Sequence, residues 1–180
     1  EFLKEPAMVG SALPSSHQLV NRLLEPVDWG RIRLCIEFGA GTGRFTQAVL
    51  DRLHPEARLI ALDTSPGFTR HLRTSIADPR LRPVTASAAD VRWVAAEEGF
   101  ARADCILSGV PFSTLPRPTG EQIMDASRSL LGHDGLFIAY QVRDAIEPLL
   151  QARFFDVRHA YAWRNMPPCH LYWARNPRPI

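Results

Sequence analysis

Apolar residues in this chain form short runs that alternate with amphipathic stretches, a pattern typical of strands that alternate with helices. Helices are predicted at residues 16–25, 47–53 and 120–131, with a short helical turn at 145–150. Strands are predicted at residues 32–35, 58–62, 81–86, 104–108, 135–142, 155–163 and 171–175. Such alternation favours a parallel sheet covered on both faces, and the last two strands are close enough in sequence to pair antiparallel. The sequence therefore predicts an α/β fold, a three-layer αβα Rossmann-like sheet of about seven strands, mostly parallel with an antiparallel last strand.

The chain is expected to form a single folded unit, because no shift in composition marks an internal boundary. It has 180 residues, of which 46% are hydrophobic and 22% charged, as in an ordinary globular protein. We expect residues 1–30 to form an N-terminal helical segment packed on a domain of residues 31–180. In that segment Leu19, Val20, Leu23 and Leu24 share one helix face, which favours docking on the sheet. Contact with a membrane surface or with a cofactor is the alternative.

Composition narrows the classes of function. The net charge of +2 is too balanced to indicate a nucleic-acid-binding protein. Cys35 and Cys105 lie in apolar strands, which indicates core thiols in a reducing compartment and favours a cytoplasmic location. The Cys and His spacings match no zinc site, so no metal is expected. No apolar run approaches the roughly 20 residues of a transmembrane helix.

Three glycines at alternate positions, Gly39, Gly41 and Gly43, lie between the first strand and a helix. Glycine suits such a turn because it adopts positive φ and lets a ligand approach without a Cβ. A dinucleotide-binding turn has the spacing G-x-G-x-x-G, whereas the spacing here is G-x-G-x-G, with Glu37 still in the strand. This stretch resembles motif I of class I S-adenosylmethionine (SAM) methyltransferases. The resemblance implies SAM as the cofactor, its ammonium near Glu37 and its methionine end close to residues 39–43, Ala40 included; an ordinary tight turn is the alternative.

Two further acids are candidates for binding the nucleoside. Asp63 ends the second predicted strand, where an acid can accept hydrogen bonds from both ribose hydroxyls, and Thr64 follows in the same turn. Asp63 could also cap the next helix, and both roles can hold at once. After the third strand, the resemblance implies that Asp90 binds the exocyclic amine of adenine while Val91 packs on the ring. The alternative at Asp90 and Val91 is a solvated loop or a cap.

The fourth predicted strand ends at Ser108 and runs into a loop that contains Gly109, Pro111 and Phe112. This strand is expected beside the first one, and the crevice at its carboxyl end is where ligands bind in open α/β sheets. Ser108 is therefore a candidate for contact with the cofactor. The loop is a candidate for holding the methyl acceptor, with a rigid turn as the alternative.

Several motifs together resemble one family. They are FLKEP at residues 2–6 followed by VGSALPSS at 9–16, the glycine stretch, SGVPF at 108–112 and WRNMPP at 163–168. They resemble bacterial phospholipid N-methyltransferases of the phosphatidylethanolamine-methylating type and, more distantly, rRNA adenine dimethylases. The resemblance implies SAM-dependent methyl transfer to an amine nitrogen, with phosphatidylethanolamine as the first candidate acceptor. An rRNA adenine N6-methyltransferase-like enzyme and a small-molecule N-methyltransferase remain alternatives.

The loop after the fourth strand bears on the acceptor. Adenine N6-methylases carry Asn or Asp there, then Pro-Pro and an aromatic residue, so that oxygens accept from the amine and the ring stacks on the base. This chain has Ser108 and Gly109 at the amide-bearing positions, which argues against nucleic acid. The predicted partner is a phospholipid or another amine, with a peripheral contact on the inner face of a membrane as an extension; oligomeric state stays open.

On the acceptor side, the hypothesis is that the methyl group points at Phe112 and that Asn165 and Tyr172 orient the nitrogen. Aromatic faces stabilise cations, so Phe112, Tyr161, Trp163 and Tyr172 are candidates to face the methylated product. Arg164 could pair with a lipid phosphate. For the aromatic residues, packing at the edge of the sheet is the alternative.

Overall fold

The structure, a computed structural model, describes residues 16–179. Its strands are β1 Leu34–Phe38, β2 Arg58–Asp63, β3 Leu81–Thr85, β4 Ala103–Ser108, β5 Leu131–Gln141, β6 Phe154–Ala162 and β7 Cys169–Pro177. They form one sheet in the order β3-β2-β1-β4-β5-β7-β6. The first five strands pair in parallel, whereas β7 is antiparallel to both β5 and β6. The predicted sheet is confirmed, including its antiparallel last strand.

Helices cover both faces of the sheet. They are α1 His17–Leu24, α2 Arg44–Leu50, α3 Pro66–Ser75, α4 Val91–Glu97, α5 Arg117–Leu130 and α6 Glu147–Arg153. Helix α2 begins earlier than predicted because Gly43, at φ +86°, forms its N-cap directly after the turn. Helix α4 occupies residues for which the sequence indicates only an adenine contact, a loop or a cap.

The N-terminal helix is part of the main core. Ser16 caps α1, its hydroxyl oxygen accepting from the Leu19 N–H at 3.1 Å. The four apolar residues predicted to share a face are all buried, packed with residues of β1, α2, β5 and β7. Helices α4, α5 and α6 cover the opposite face, where Phe38, Phe137 and Tyr172 are among the largest buried side chains. The motif at residues 2–6 and all of the next one except Ser16 lie outside the described residues.

Three free cysteines, Cys35, Cys105 and Cys169, are buried, which confirms the prediction of core thiols for the first two. Within residues 16–179, no helix is both long and apolar enough to cross a membrane. The same residues contain no group of three or more His, Cys, Asp or Glu side chains placed to hold a metal ion.

Parallel strands bring their carboxyl ends to one edge of the sheet. The strand order reverses direction at β1, which has β2 on one side and β4 on the other. Ligands of open α/β sheets bind at such a switch point, outside the carboxyl ends of the strands. The glycine turn after β1 and the loop after β4 both lie there.

Candidate active site

The turn after β1 has the backbone conformation that its glycines predict. Gly39, Gly41 and Gly43 have φ values of +71°, +52° and +86°, in the left-handed region that side chains rarely adopt. A Cβ added at Gly43 would lie 2.6 Å from Leu72 Cδ2, so this glycine allows close packing of helix on sheet. A Cβ added at Gly41 would meet nothing within 4 Å. Gly43 therefore faces protein, whereas Gly41 borders open space that a ligand can enter.

A buried carboxylate lies directly before this turn. Glu37 is only 3% exposed, and Thr46 Oγ1 on α2 donates a hydrogen bond of 2.6 Å to its Oε2. Burial raises the pKa of Glu37 to about 8, and nearby Asp63 adds to the rise, while the Thr46 hydrogen bond opposes it. A cation bound beside Glu37 would compensate the cost of burying its charge.

Asp63 joins the ends of β1 and β2. Its Oδ2 accepts from the Gly41 N–H at 3.0 Å, and its Oδ1 accepts from the Ser65 N–H at 2.8 Å. The carboxylate is partly exposed, and its oxygens have acceptor capacity beyond these two bonds. The structure thus brings Asp63 to the glycine turn, as the sequence predicts, and Thr64 lies exposed beside it.

Tyr140, near the end of β5, is a neighbour of the site that the sequence analysis does not single out. Its ring stacks on Phe45 of α2 with centroids 4.5 Å apart. A Cβ added at Gly109 would lie 2.5 Å from the Tyr140 hydroxyl oxygen and 3.3 Å from the Gly39 carbonyl oxygen. Burial, and then the charge of Glu37, raise the pKa of Tyr140, which stays protonated. Its position at the carboxyl end of a central strand was the one signal in the sequence.

Two residues predicted to touch the cofactor have other roles. Val91 is fully buried in the core under α4, so its side chain does not present a face to an adenine ring. Ser108 is also fully buried, and its hydroxyl accepts from the Val110 N–H at 3.4 Å within the loop. Asp90, in contrast, is exposed at the start of α4. The predictions for Val91 and Ser108 are corrected because both side chains point into the protein, whereas Asp90 stays a candidate.

The three residues predicted to act on the acceptor are also buried. Phe112 is 5% exposed, and its N–H donates to Gln141 Oε1 at 3.2 Å. The Asn165 amide donates to the Pro167 carbonyl at 2.8 Å and accepts from the Ser16 N–H at 3.1 Å. Tyr172 is fully buried, with its hydroxyl donating to Glu147 at 3.3 Å. Their contacts hold the loop after β4, the β6–β7 connection and α6, so we assign them to positioning the fold and not to catalysis.

Three other rings line β6 and β7 at the same edge. His159 and His170 share a hydrogen bond of 2.9 Å between Nε2 and Nδ1, and the edge of Tyr161 meets His170 with centroids 4.8 Å apart. His170 pairs in register with Gln141, whose side chain donates to the Val110 carbonyl. We call His159, Tyr161 and His170 the ring cluster. It is two strands, about 10 Å, from the end of β4, and its rings and imidazole nitrogens can attract a cation or accept a proton.

A cavity of about 510 Å³ lies at the opposite edge of the sheet, near the amino ends of β4 and β5. Its wall includes Asp28, Arg31, Asp104 and His133. None of the candidate residues described above borders it. The conformation of the glycine turn and the buried carboxylate therefore place the site at the carboxyl edge, away from the larger cavity.

Comparison with known proteins agrees with this geometry. The family model of the methyltransferase domain matches residues 35–135. An ornithine lipid N-methyltransferase from Singulisphaera acidiphila is 29% identical over 177 residues, covering 97% of this chain and 92% of that protein.

Solved structures share the fold at low sequence identity. The N-methyltransferase NodS from Bradyrhizobium japonicum, in complex with S-adenosyl-L-homocysteine, has a TM-score of 0.67 at 16% identity, covering 89% of this chain and 85% of that one. The 1,6-didemethyltoxoflavin N1-methyltransferase from Burkholderia thailandensis, with its substrate and S-adenosylhomocysteine bound, has a TM-score of 0.67 at 19% identity, covering 98% and 81%.

Proposed function

This chain belongs to the methyltransferase-domain family, and from that premise we propose that it methylates a primary amine in the head group of a lipid, phosphatidylethanolamine being the first candidate. The enzyme is a SAM-dependent methyltransferase. The acceptor class rests on one observation, the similarity along nearly the whole chain to an ornithine lipid N-methyltransferase. Ornithine lipids and phosphatidylethanolamine both present a primary amine near a polar head group.

The residues at the carboxyl edge fit SAM. Open space next to Gly41 admits the ligand to the backbone of the turn. Glu37 offers a buried carboxylate to the ammonium of the methionine end, and Asp63 offers its remaining acceptor capacity to the ribose. Arg44 Nε, directly after the turn, is buried without a hydrogen-bond partner among the described residues, and a donor of this kind suits a carboxylate. We propose that Thr64 and Asp90 border the nucleoside.

When bound, SAM supplies an electrophilic methyl group. The chain's own contribution is to hold the acceptor nitrogen in line with that group and to keep water away. A lipid amine is protonated in water and has to lose its proton before the nitrogen can attack. We propose that the ring cluster receives the acceptor, because its exposed rings attract an ammonium and a neutral imidazole nitrogen of His159 or His170 can accept the proton.

The nucleic-acid alternative lacks a matching feature in the structure. The loop after β4 presents no amide side chain, and Phe112 is buried, so neither an amide acceptor nor an exposed stacking ring is available for a flipped base. We therefore do not retain adenine methylation as a second function.

The test is a transfer assay with methyl-labelled SAM and detergent-solubilised acceptors. We expect label in phosphatidylethanolamine or ornithine lipid, and none in phosphatidylcholine, which has no free amine. The Glu37→Gln variant is the matched negative control, since it removes only the charge that meets the ammonium. Label in rRNA alone, or binding of S-adenosylhomocysteine without transfer to either lipid, would refute the proposal.

A further inference from the structure

The connection between β6 and β7, residues 163–168, exposes large apolar side chains. Trp163 is 65% exposed and Met166 is 84% exposed, and both lie in this short segment, which we call the hairpin tip. Tyr161, just before it on β6, is 46% exposed. Side chains of this size are normally scattered singly on a surface, so their concentration in one turn indicates a contact surface.

The hairpin tip lies on the side of the molecule where the site opens. Because β7 is antiparallel to β5 and to β6, the end of β6 points the same way as the end of β5. Ala162 and Cys169 therefore flank a turn at the carboxyl edge, the same edge that carries the glycine turn. A surface that binds the tip would also face the opening of the site.

Hydrogen bonds from the N-terminal part of the described chain hold the tip in place. Asn165, buried in the turn, accepts from the Ser16 N–H and donates to the Pro167 carbonyl. Arg22 of α1 donates to the Tyr161 carbonyl at 3.2 Å. The exposed side chains thus project from a fixed turn, so that binding does not have to order it first.

The charge of this region suits an anionic surface. Asp156 is the last acidic residue in the sequence, so residues 157–170 contain two arginines and two histidines but no carboxylate side chain. Arg164 lies over the Trp163 ring, 4.7 Å from its centroid. Tryptophan beside arginine is typical of the boundary between lipid head groups and acyl chains, where the ring is partly buried and the guanidinium meets phosphate.

We propose that the hairpin tip docks on a bilayer that contains anionic lipids, with Trp163 and Met166 in the head-group region and Arg164 at the phosphates. The proposal rests on the proposed function, since it describes how a lipid acceptor in a membrane reaches the carboxyl edge. One docked edge would bring the ring cluster and the cofactor site to the lipid surface.

The experiment is co-sedimentation of the protein with vesicles of phosphatidylcholine and phosphatidylglycerol, without SAM. We expect the double variant Trp163→Ala, Met166→Ala to bind these vesicles about tenfold or more weakly than the unaltered protein. Phe155→Ala is the matched control, because Phe155 is also an exposed ring on β6 with an arginine, Arg178, over its face, but it lies at the opposite edge of the sheet. It should bind as the unaltered protein does.

Three further readings separate docking from other causes. Methylation of detergent-solubilised lipid and the melting temperature should be unchanged in the double variant; loss of either would assign these residues to catalysis or folding and overturn the proposal. Equal vesicle binding by all three proteins would also overturn it. So would a dimer, measured by light scattering, that the double variant dissolves, because a second copy would then cover the tip. Vesicle binding without methylation of any lipid would refute the proposed function and leave the docking surface intact.

Discussion

Thr46 on α2 donates a hydrogen bond of 2.6 Å to Glu37 on β1, across the glycine turn that separates them. The bond joins the strand before the turn to the helix after it through a carboxylate that is almost fully buried. Burial favours the protonated form of Glu37, whereas the hydrogen bond favours the ionised form. The balance makes cofactor binding and folding depend on the same proton.

Replacing Thr46 by Val should weaken cofactor binding. The substitution keeps the size of the side chain and removes the donor, which raises the pKa of Glu37 further and lowers the ionised fraction that meets the cofactor's ammonium. A hydrogen bond to a charged group contributes about 1.5–3 kcal/mol, so the Kd for S-adenosylhomocysteine should rise about tenfold or more near neutral pH. Isothermal titration calorimetry measures it.

Thr69→Val is the control for this substitution. Thr69 is also a buried threonine, and its hydroxyl bonds to Thr85 at 2.6 Å, away from Glu37. Its replacement should leave the Kd within about twofold. If both variants bind the cofactor as the unaltered protein does, the Thr46–Glu37 bond has no role in binding.

Affinity for the cofactor should increase with pH below about 8. The ionised fraction of Glu37 grows as pH approaches its pKa of about 8, and only that form pairs with an ammonium. The Kd for S-adenosylhomocysteine should fall by up to about tenfold per pH unit in this range. In Glu37→Gln this pH dependence should disappear and binding should be weak throughout; a slope that persists in the variant would assign the titration to another group.

The free energy of unfolding of the ligand-free protein should change in the opposite direction. The pKa of Glu37 is raised in the folded state, so the folded state holds its proton while the unfolded chain has lost it. Stability from this group is therefore complete below the ordinary carboxyl value of 4.5 and is lost as pH rises to about 8. Urea titrations should show a loss of a few kcal/mol at most that is absent in Glu37→Gln.

Alanine at Gly41 and at Gly43 should have different effects. At Gly41 the added methyl group meets no protein atom but enters the space next to the turn, so cofactor affinity should fall at least tenfold while stability falls by about 1 kcal/mol. At Gly43 the methyl group meets Leu72 and the left-handed φ is kept only with strain, so stability should fall by about 2 kcal/mol. Calorimetry and urea unfolding of the two variants make the comparison; equal losses of affinity and stability would contradict it.

The sequence predicted the cofactor side of the site well, because local chemistry determines it. Glycine spacing and an acid at each strand end fixed the approach of Gly41 to Asp63, since parallel strands bring their ends together. The direction of a side chain near a strand end depends on register and on the helix that covers it. Val91 and Ser108 point inward for that reason, and α4, which buries Val91, has no strong start signal in the sequence.

The acceptor side was predicted less well because its residues come from three strands distant in sequence. Tyr140 reaches the glycine turn only through its stack on Phe45, and the ring cluster forms only when β6 pairs with β7 in the observed register. Asn165 and Tyr172 were chosen from a motif and from residue type. Their hydrogen bonds hold Ser16, Pro167 and Glu147, contacts that no local pattern contains.

Phenylalanine at Tyr172 and at Tyr140 tests this division between the fold and the site. The Tyr172 hydroxyl is buried and bonded to Glu147, so Tyr172→Phe should change the free energy of unfolding by about 1 kcal/mol and kcat by less than about twofold. The Tyr140 hydroxyl adjoins Gly109 and has no hydrogen-bond partner among the described residues, so Tyr140→Phe should lower kcat/KM about tenfold with little change in stability. Steady-state kinetics on solubilised lipid and urea unfolding measure both. A hundredfold loss of kcat in Tyr172→Phe at unchanged stability would return Tyr172 to catalysis, because a hydroxyl that only supports α6 affects the fold before it affects the rate.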